Sequence, residues 1–435
     1  MLILNWYRFF HNFECIFLVN ELRKMSTKTN GKVINDPIYG LVNIHQPLIL
    51  QLIDHPFFQR LRRIKQLSLN ELVYPGATHT RFHHAIGAMH LMQQALTTLR
   101  QKGHSISETE YEAALIAILL HDIGHAPFSH SLEYTLLSNS HEAISLCMMK
   151  YLNQEMNGKL TLAVKIFENS YERKFFHQLV SGQLDTDRLD YLQRDSFFTG
   201  VIEGRVGADR ILKLLDIHQD QLVVEQKGIY GIEHFLTARR IMYWQVYLHK
   251  TTLGAEQLLI QVLERAKLLV SKNQLLFATP ALDFFLKNQI SETQFLENPK
   301  YLEIFAQLDD YDIWASLKSW TTHSDWILSQ LCQSLLSRRL FRVELSHKKI
   351  DERIFQILQN KIRKQYKLSK EEVSYFLIKG IISNSAYLSD SQKIGILQKN
   401  GNVSDVAQIS DLQNIQTLTK KVKKYYLCYP KEIQY

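Results

Sequence analysis

The stretch that decides the fold is His121-Asp122-Ile123-Gly124-His125-Ala126-Pro127-Phe128-Ser129-His130. It closes a segment patterned as a buried helix. Ser107 followed by Glu110 predicts a capping-box start, and Tyr111, Ala114, Leu115 and Ile118 recur at helical spacing as a core-facing stripe. His121, Asp122 and His125 extend that stripe rather than the polar face. Ionisable groups in such places are costly unless paired or bound to a metal. A single histidine on an apolar face is ordinarily a satisfied core residue. So dense a cluster points to a metal, provided that further ligands come from elsewhere.

The segment Thr80-Arg81-Phe82-His83-His84-Ala85-Ile86-Gly87 offers two histidines. Only His84 aligns with Gly87, Ala88 and Leu91, a small apolar face suited to close packing. His83 shares a side with His90 and Gln94 and is expected to be exposed or to support the site from behind. A further ligand is expected in Leu184-Asp185-Thr186-Asp187-Arg188-Leu189-Asp190-Tyr191, where Asp187 shares a face with Leu184 and Tyr191. On spacing alone Asp185 and Asp190 remain alternatives. Mixed imidazole and carboxylate ligands suit Fe, Mn, Ni, Zn or Mg without choosing among them.

His84, His121-Asp122 and Asp187 together look like the H…HD…D signature of the HD-domain metal-dependent phosphohydrolases. Asp36-Pro37-Ile38-Tyr39-Gly40, Phe58-Gln59-Arg60-Leu61-Arg62, Ile64-Lys65-Gln66-Leu67, Tyr74-Pro75-Gly76-Ala77-Thr78-His79 and Arg81-Phe82-His83-His84 narrow this further. They resemble the deoxynucleoside triphosphate triphosphohydrolase branch, which includes the mammalian sterile-alpha-motif and HD-domain enzyme. The match runs from about Lys32 to about Lys250 and is looser beyond. It implies a mainly α fold with an HD helical core, and a divalent ion held by His84, His121, Asp122 and Asp187. Mg²⁺ is expected to accompany the substrate.

The leaving oxygen of a hydrolysed phosphoester needs a proton donor, and His130 is the choice because the pKa of histidine lies near working pH. His125 is adjacent, and His141 and Glu133 are placed to orient and charge the donor. The family resembled has aspartate at the position of Glu133. Arg81, Arg188 and Arg239 flank motif residues on separate helices, and guanidinium forks grip phosphate oxygens in bidentate fashion. The family has lysine at the position of Arg188. The resemblance further implies that Tyr191 contacts phosphate, that Gln66, Leu67 and Asp195 contact deoxyribose, and that Tyr247 stacks near the base. The implied reaction is attack of water at the α-phosphorus, giving deoxynucleoside and inorganic triphosphate, with dGTP among the substrates.

Lys32, Asp54, Gln59 and Arg62 fall at spacings matching a guanine-nucleotide (GTP or dGTP) activator site. Asn35, Arg210, His249 and Lys250 suggest a neighbouring deoxynucleotide site. Such sites lie between subunits in the family resembled, which implies a homo-oligomer, a dimer or tetramer.

The chain has 435 residues, 46% hydrophobic and 22% charged, the composition of an ordinary globular enzyme of more than one domain. A net charge of +8 suits an anionic substrate and does not indicate nucleic-acid binding. Four separated cysteines (Cys15, Cys147, Cys332, Cys428) indicate a reducing compartment, and a cytoplasmic location is expected. No apolar run reaches the ~20 residues of a membrane span. Residues 1–30 read as a leader, disordered or belonging to an upstream start, with Met25 the natural one and no room for a sterile-alpha-motif domain. Residues 31–290 are expected to form the HD core, with its motifs at 79–195. Residues 291–435 are expected to form a helical and α+β accessory region. Helical periodicity runs near 84–100, 110–122, 141–152, 232–270 and 324–340. Ile394–Gln398 and Val403–Ala407 flank a hairpin turn, and Val422–Tyr429 reads as a strand.

Two rival functions remain. One is an HD hydrolase of nucleoside monophosphates, cyclic nucleotides or alarmones, disfavoured by the matched arginines and by the lack of an acidic HDxxED-like continuation. The other is a non-catalytic nucleotide sensor, whose expected mark is a broken ligand set; here all four candidate ligands are present.

Overall fold

The computed structural model describes residues 31–387 and 393–434. The expected leader lies outside them. Six helices matter for the site: α1 (Arg81–Gln101), α2 (Glu108–Leu120), α3 (His141–Glu155), α4 (Thr186–Thr199), α5 (Ile229–Met242) and α6 (Lys250–Ser271). The architecture is mainly α, as the periodicity predicts.

Helix α2 starts at the expected capping box: Ser107 Oγ accepts from Glu110 N at 3.2 Å, and Glu110 Oε2 accepts from Ser107 N at 2.8 Å. Most of its residues are buried, from Tyr111 and Ala113 through Leu120, as suits a helix apolar on nearly every face. It packs against α1, which in turn packs against α4. The α1–α4 approach requires glycine at 87, because a Cβ there would lie 2.1 Å from both Arg194 Nη2 and Asp190 Oδ1. Helix α4 is capped by Asp185, which accepts from Arg188 N at 2.6 Å, and ends at Gly200 with φ +75°.

Several strands interrupt the region that periodicity reads as helical. β1 (Lys32–Asp36) and β2 (Gly40–Ile44) form an antiparallel hairpin. Its turn is the Asp36–Gly40 motif: Asp36 Oδ1 accepts from Ile38 N (2.8 Å) and Tyr39 N (3.1 Å), the short-range carboxylate–amide pattern that favours a turn. β3 (Leu215–His218) pairs with β4 (Gln221–Glu225). The long helical run expected over 232–270 is broken: α5 ends at Met242, Tyr243–Tyr247 widens into a π turn, and α6 restarts at Lys250 behind the cap His249. Such widened turns occur frequently at functional sites, and this one carries two tyrosines to the cleft.

After residue 290, α7 (Asp310–Trp320) packs on α8 (Trp326–Leu336), and α8 on α6. β5 (Arg342–Ser346), β6 (Ile378–Asn384) and β9 (Val422–Tyr429) form a sheet in the order β5-β9-β6. The expected hairpin is present as β7 (Gly395–Leu397) and β8 (Val403–Asp405), with Gly395 opposite Asp405. β7 runs parallel to β4, so this four-stranded sheet takes strands from both sides of residue 290. Among the described residues no helix is long and apolar enough to cross a membrane.

Candidate active site

His84 comes from the first turn of α1, His121-Asp122 from the end of α2, and Asp187 from the first turn of α4. The structure brings all four together. His84 Nε2 lies 3.1 Å from Asp187 Oδ1 and 3.6 Å from Asp122 Oδ2. His121 Nε2 lies 3.4 Å from Asp122 Oδ1 and 3.5 Å from Asp187 Oδ1. Both Nε2 atoms are buried and make no hydrogen bond of proper geometry. Two orphaned imidazole nitrogens facing two carboxylates fit a divalent cation, since each nitrogen then gains the partner that burial demands.

The opposite ring nitrogens fix the orientation. His84 Nδ1 is 2.7 Å from Asp190 Oδ2, and His121 Nδ1 is 2.6 Å from the Ile118 carbonyl. Asp190 is gripped by Arg194 at 2.9 Å through both Nε and Nη2, and Arg194 Nη1 reaches Asp36 at 2.9 Å. The alternatives left by spacing are thereby separated: Asp187 faces the cluster, Asp190 stands behind His84, and Asp185 caps α4. Burial pulls the His84 pKa down, but hydrogen bonds to Asp187 and Asp190 outweigh it and bring it up to about 10. Burial raises Asp122, yet His121 and Arg81 hold its carboxyl well below the usual range. His83 is taken up in the cap of α1, its Nδ1 3.2 Å from Thr80 N.

Beside this cluster Glu133 joins two histidines. Its Oε2 lies 3.0 Å from His130 Nδ1, and its Oε1 lies 2.9 Å from His141 Nδ1 and accepts from His141 N at 2.7 Å. These contacts outweigh burial and depress the Glu133 carboxyl strongly. Glutamate in place of the family's aspartate therefore spans both rings. His130 is two-thirds exposed (68%) while Glu133 is buried. His125 stacks on His141 (centroids 3.9 Å) with Nε2 3.2 Å from Asp122; burial and Arg81 press its pKa well down.

Asp122, Asp187, His125, His130 and His141 share a cleft of about 600 Å³ with Gln66, Leu67, Arg81, Arg188, Tyr191, Asp195 and Tyr247. That is within the usual range for a small-ligand site. Arg81 bonds Asp122 and Ser129 Oγ; Arg188 pairs with Asp185. Asp195 joins His79 Nε2 (2.7 Å) to the Tyr247 hydroxyl (2.8 Å). Arg239 is buried beside Gln183, 3.3 Å away, rather than on the cleft wall. The proposed activator residues gather only in part. Lys32 Nζ pairs with Asp54 at 3.1 Å and Arg62 Nε with Gln59 at 2.8 Å, whereas Asn35, Arg210 and Lys250 are exposed on separate elements and His249 caps α6.

Sequence reasoning missed Asp310. Its Oδ1 accepts from Phe128 N at 2.7 Å and its Oδ2 from Lys65 N at 2.9 Å, so one carboxyl ties the histidine loop to the segment before Gln66-Leu67. Phe128 and Ser129 both have left-handed backbone (φ +56° and +54°), costing on the order of 1–2 kcal/mol per residue. Asp310, with the Ser129 hydroxyl donating to Lys65 O at 2.8 Å, holds that loop in place. Arg60 adds a buried strut, donating to Leu308 O (2.7 Å) and His125 O (2.8 Å).

Comparison with known proteins agrees with this geometry. The HD domain model matches residues 81–195, and the HD associated region matches 206–276. The uncharacterized protein YwfO of Bacillus subtilis is 30% identical over 92% of this chain and 93% of its own length. The deoxynucleoside triphosphate triphosphohydrolase SAMHD1 homolog of Dictyostelium discoideum is 31% identical over 52% of this chain, which spans 47% of that relative. A phosphohydrolase from Bacteroides thetaiotaomicron, known from its crystal structure, is 52% identical with a TM-score of 0.88, covering 92% of this chain and all of that one (100%).

Proposed function

This chain belongs to the HD-domain family, and we propose that it hydrolyses deoxynucleoside triphosphates, dGTP among them, to deoxynucleoside and inorganic triphosphate. The observation that carries this reading is that Asp122 and Asp187 of the His84–His121–Asp122–Asp187 cluster line one cleft with His130 and His141, the two histidines that Glu133 joins. His84, His121, Asp122 and Asp187 would hold a divalent ion, which would supply Lewis-acid polarisation of a phosphoryl oxygen and a lowered pKa of water. Arg81 and Arg188 bind the phosphates and orient the α-phosphorus. Glu133, fully ionised, keeps the Nδ1 proton of His130 on its own side, so the Nε2 proton is the one delivered to the departing 5′-oxygen. His141 shares the same carboxylate and fixes its direction.

Gln66 and Leu67 close the cleft against the sugar and disfavour a 2′-hydroxyl; Asp195 also contacts the deoxyribose, Tyr191 contacts phosphate and Tyr247 stacks near the base. The buried Arg239 acts by positioning Tyr243, over whose ring its guanidinium lies at 5.9 Å. Guanine nucleotide binding at Lys32, Asp54, Gln59 and Arg62, and deoxynucleotide binding at a neighbouring site of Asn35, Arg210, His249 and Lys250, couple oligomer assembly between subunits to turnover. The relatives named deoxynucleoside triphosphate triphosphohydrolase SAMHD1 support the substrate class. Metal-loaded protein incubated with dGTP and assayed separately for triphosphate, pyrophosphate and phosphate tests the reading. Triphosphate alone is expected; pyrophosphate or phosphate as first product contradicts it.

A further inference from the structure

With the cationic end of the cleft and the sugar wall accounted for, Ser68, Asn70, Ser131, Leu248 and two acids, the exposed Glu142 beside His141 and Glu256, remain on its lining. Glu256 stands in the second turn of α6, whose neighbouring residues Leu253, Gly254, Ala255, Leu258 and Leu259 are buried. An acid among them needs a reason. Its Oε1 accepts from Ser131 Oγ at 2.7 Å, and Ser131 Oγ lies 2.6 Å from Ser68 Oγ. Ser131 follows the general-acid candidate His130, and Ser68 follows Gln66-Leu67, so both serines are carried by segments that already form the site. Burial pushes the Glu256 carboxyl up to about 7, and only the hydroxyls of Ser131 and Ser68 oppose that shift.

Among the described residues no lysine or arginine offsets this acid, so its acceptor capacity is available to a ligand. A phosphate is repelled by it and is claimed by the arginines. The base is the remaining part of a nucleotide that can present donors. Guanine offers N1–H and its 2-amino group side by side, the spacing that one carboxylate accepts through both oxygens. Thymine offers one N–H flanked by two carbonyls, which face the carboxylate with like partial charge. Asn70 belongs to the same wall; its Oδ1 accepts from Thr252 Oγ1 at 2.7 Å, leaving its NH₂ for an acceptor such as guanine O6.

We propose that Glu256 is a specificity-determining residue that reads the base of the substrate, accepting the paired N1–H and 2-amino donors of guanine while Ser131 and Ser68 hold its carboxyl in place. This rests on the nucleotide-hydrolase reading above. The two donors of guanine favour the ionised form of the carboxyl, and losing hydrogen bonds to a charged acceptor typically costs about 10–100-fold in affinity.

The test measures kcat/KM for dGTP and dTTP, and binding of both before turnover, on full-length metal-loaded wild type and Glu256→Gln. The dGTP-to-dTTP ratio within one preparation is independent of the fraction folded. The wild type is expected to favour dGTP in binding and in kcat/KM, and the variant to lose about 10–100-fold of that ratio. An unchanged ratio overturns the assignment, as does a wild type that binds both equally. A dGTP preference in wild-type binding that Glu256→Gln loses, without hydrolysis of either nucleotide, overturns the hydrolase reading and leaves Glu256 as the base reader.

Discussion

Asp190 grips His84 from behind: its Oδ2 lies 2.7 Å from Nδ1, which aims the orphaned Nε2 at Asp122 and Asp187. The grip is itself braced, because Arg194 holds Asp190 and Asp36 holds Arg194. Supporting carboxylates of this kind set ring orientation and ligand basicity, and their loss costs about 10–100-fold in metal affinity. Asp190→Asn is expected to lower metal affinity by that factor in chelator competition while the folded chain persists. Asp122→Ala and Asp187→Ala are expected to lose the ion with activity. Stoichiometric metal retained in both alanine variants contradicts the ligand assignment.

His130 is exposed and buttressed by a buried glutamate, the arrangement of a group that acts on a ligand rather than one that holds the core together. His130→Ala is expected to lower kcat by about 10²–10⁴-fold with little change in KM. Steady-state kinetics at saturating metal check this. An unchanged kcat moves the proton-donor role to His141.

Asp310 is a positioning residue with a pH signature. Burial pushes its carboxyl up to about 7 in spite of the Lys65 and Phe128 amides, whereas an unfolded aspartate titrates near about 3.9. Between those values the folded chain keeps a proton that the unfolded chain has released. The stability from this group is therefore fully present below about pH 4 and is lost as pH rises towards 7. In Asp310→Asn this slope is expected to vanish, so the wild-type minus variant difference in unfolding free energy shrinks from pH 4 to 7 and is then constant. Turnover in the variant is expected to fall without loss of metal, because one of the two amides loses its acceptor. A stability difference independent of pH refutes the titration.

Much of the site was legible because its signals are local. The Ser107–Glu110 cap, the His121-Asp122 pair at the helix end and the small face below His84 each declare themselves within one or two turns. The hairpin at 395–405 is equally local. What stayed hidden depends on contacts distant in sequence. Asp310 meets Phe128 across 182 positions, and in sequence it is only an acid in the first turn of a helix. Asp190 and Asp187 stand three residues apart on one helix, and only the direction of the His84 ring assigns ligand to one and support to the other. The strands of the β1–β2 hairpin were missed because each is short and its apolar residues are adjacent, Val33-Ile34 and Leu41-Val42, rather than alternating, while its turn was visible as the Asp36–Gly40 motif.

Guanine nucleotide regulation makes a separable claim. Lys32 and Asp54 are each about half exposed (50% and 47%), open to an incoming ligand. GTP or dGTP is expected to shift the oligomeric state, or turnover of a second deoxynucleotide, and Asp54→Ala to abolish the response. Light scattering and kinetics that show equal mass and equal rate with and without guanine nucleotide refute the regulatory site while the hydrolase reading stands.

The most direct test of the central claim is hydrolysis of dGTP in H₂¹⁸O with mass analysis of both products. Attack at the α-phosphorus predicts one ¹⁸O in intact inorganic triphosphate and none in deoxyguanosine. Deoxyguanosine monophosphate with pyrophosphate, or label in the nucleoside hydroxyl, contradicts it.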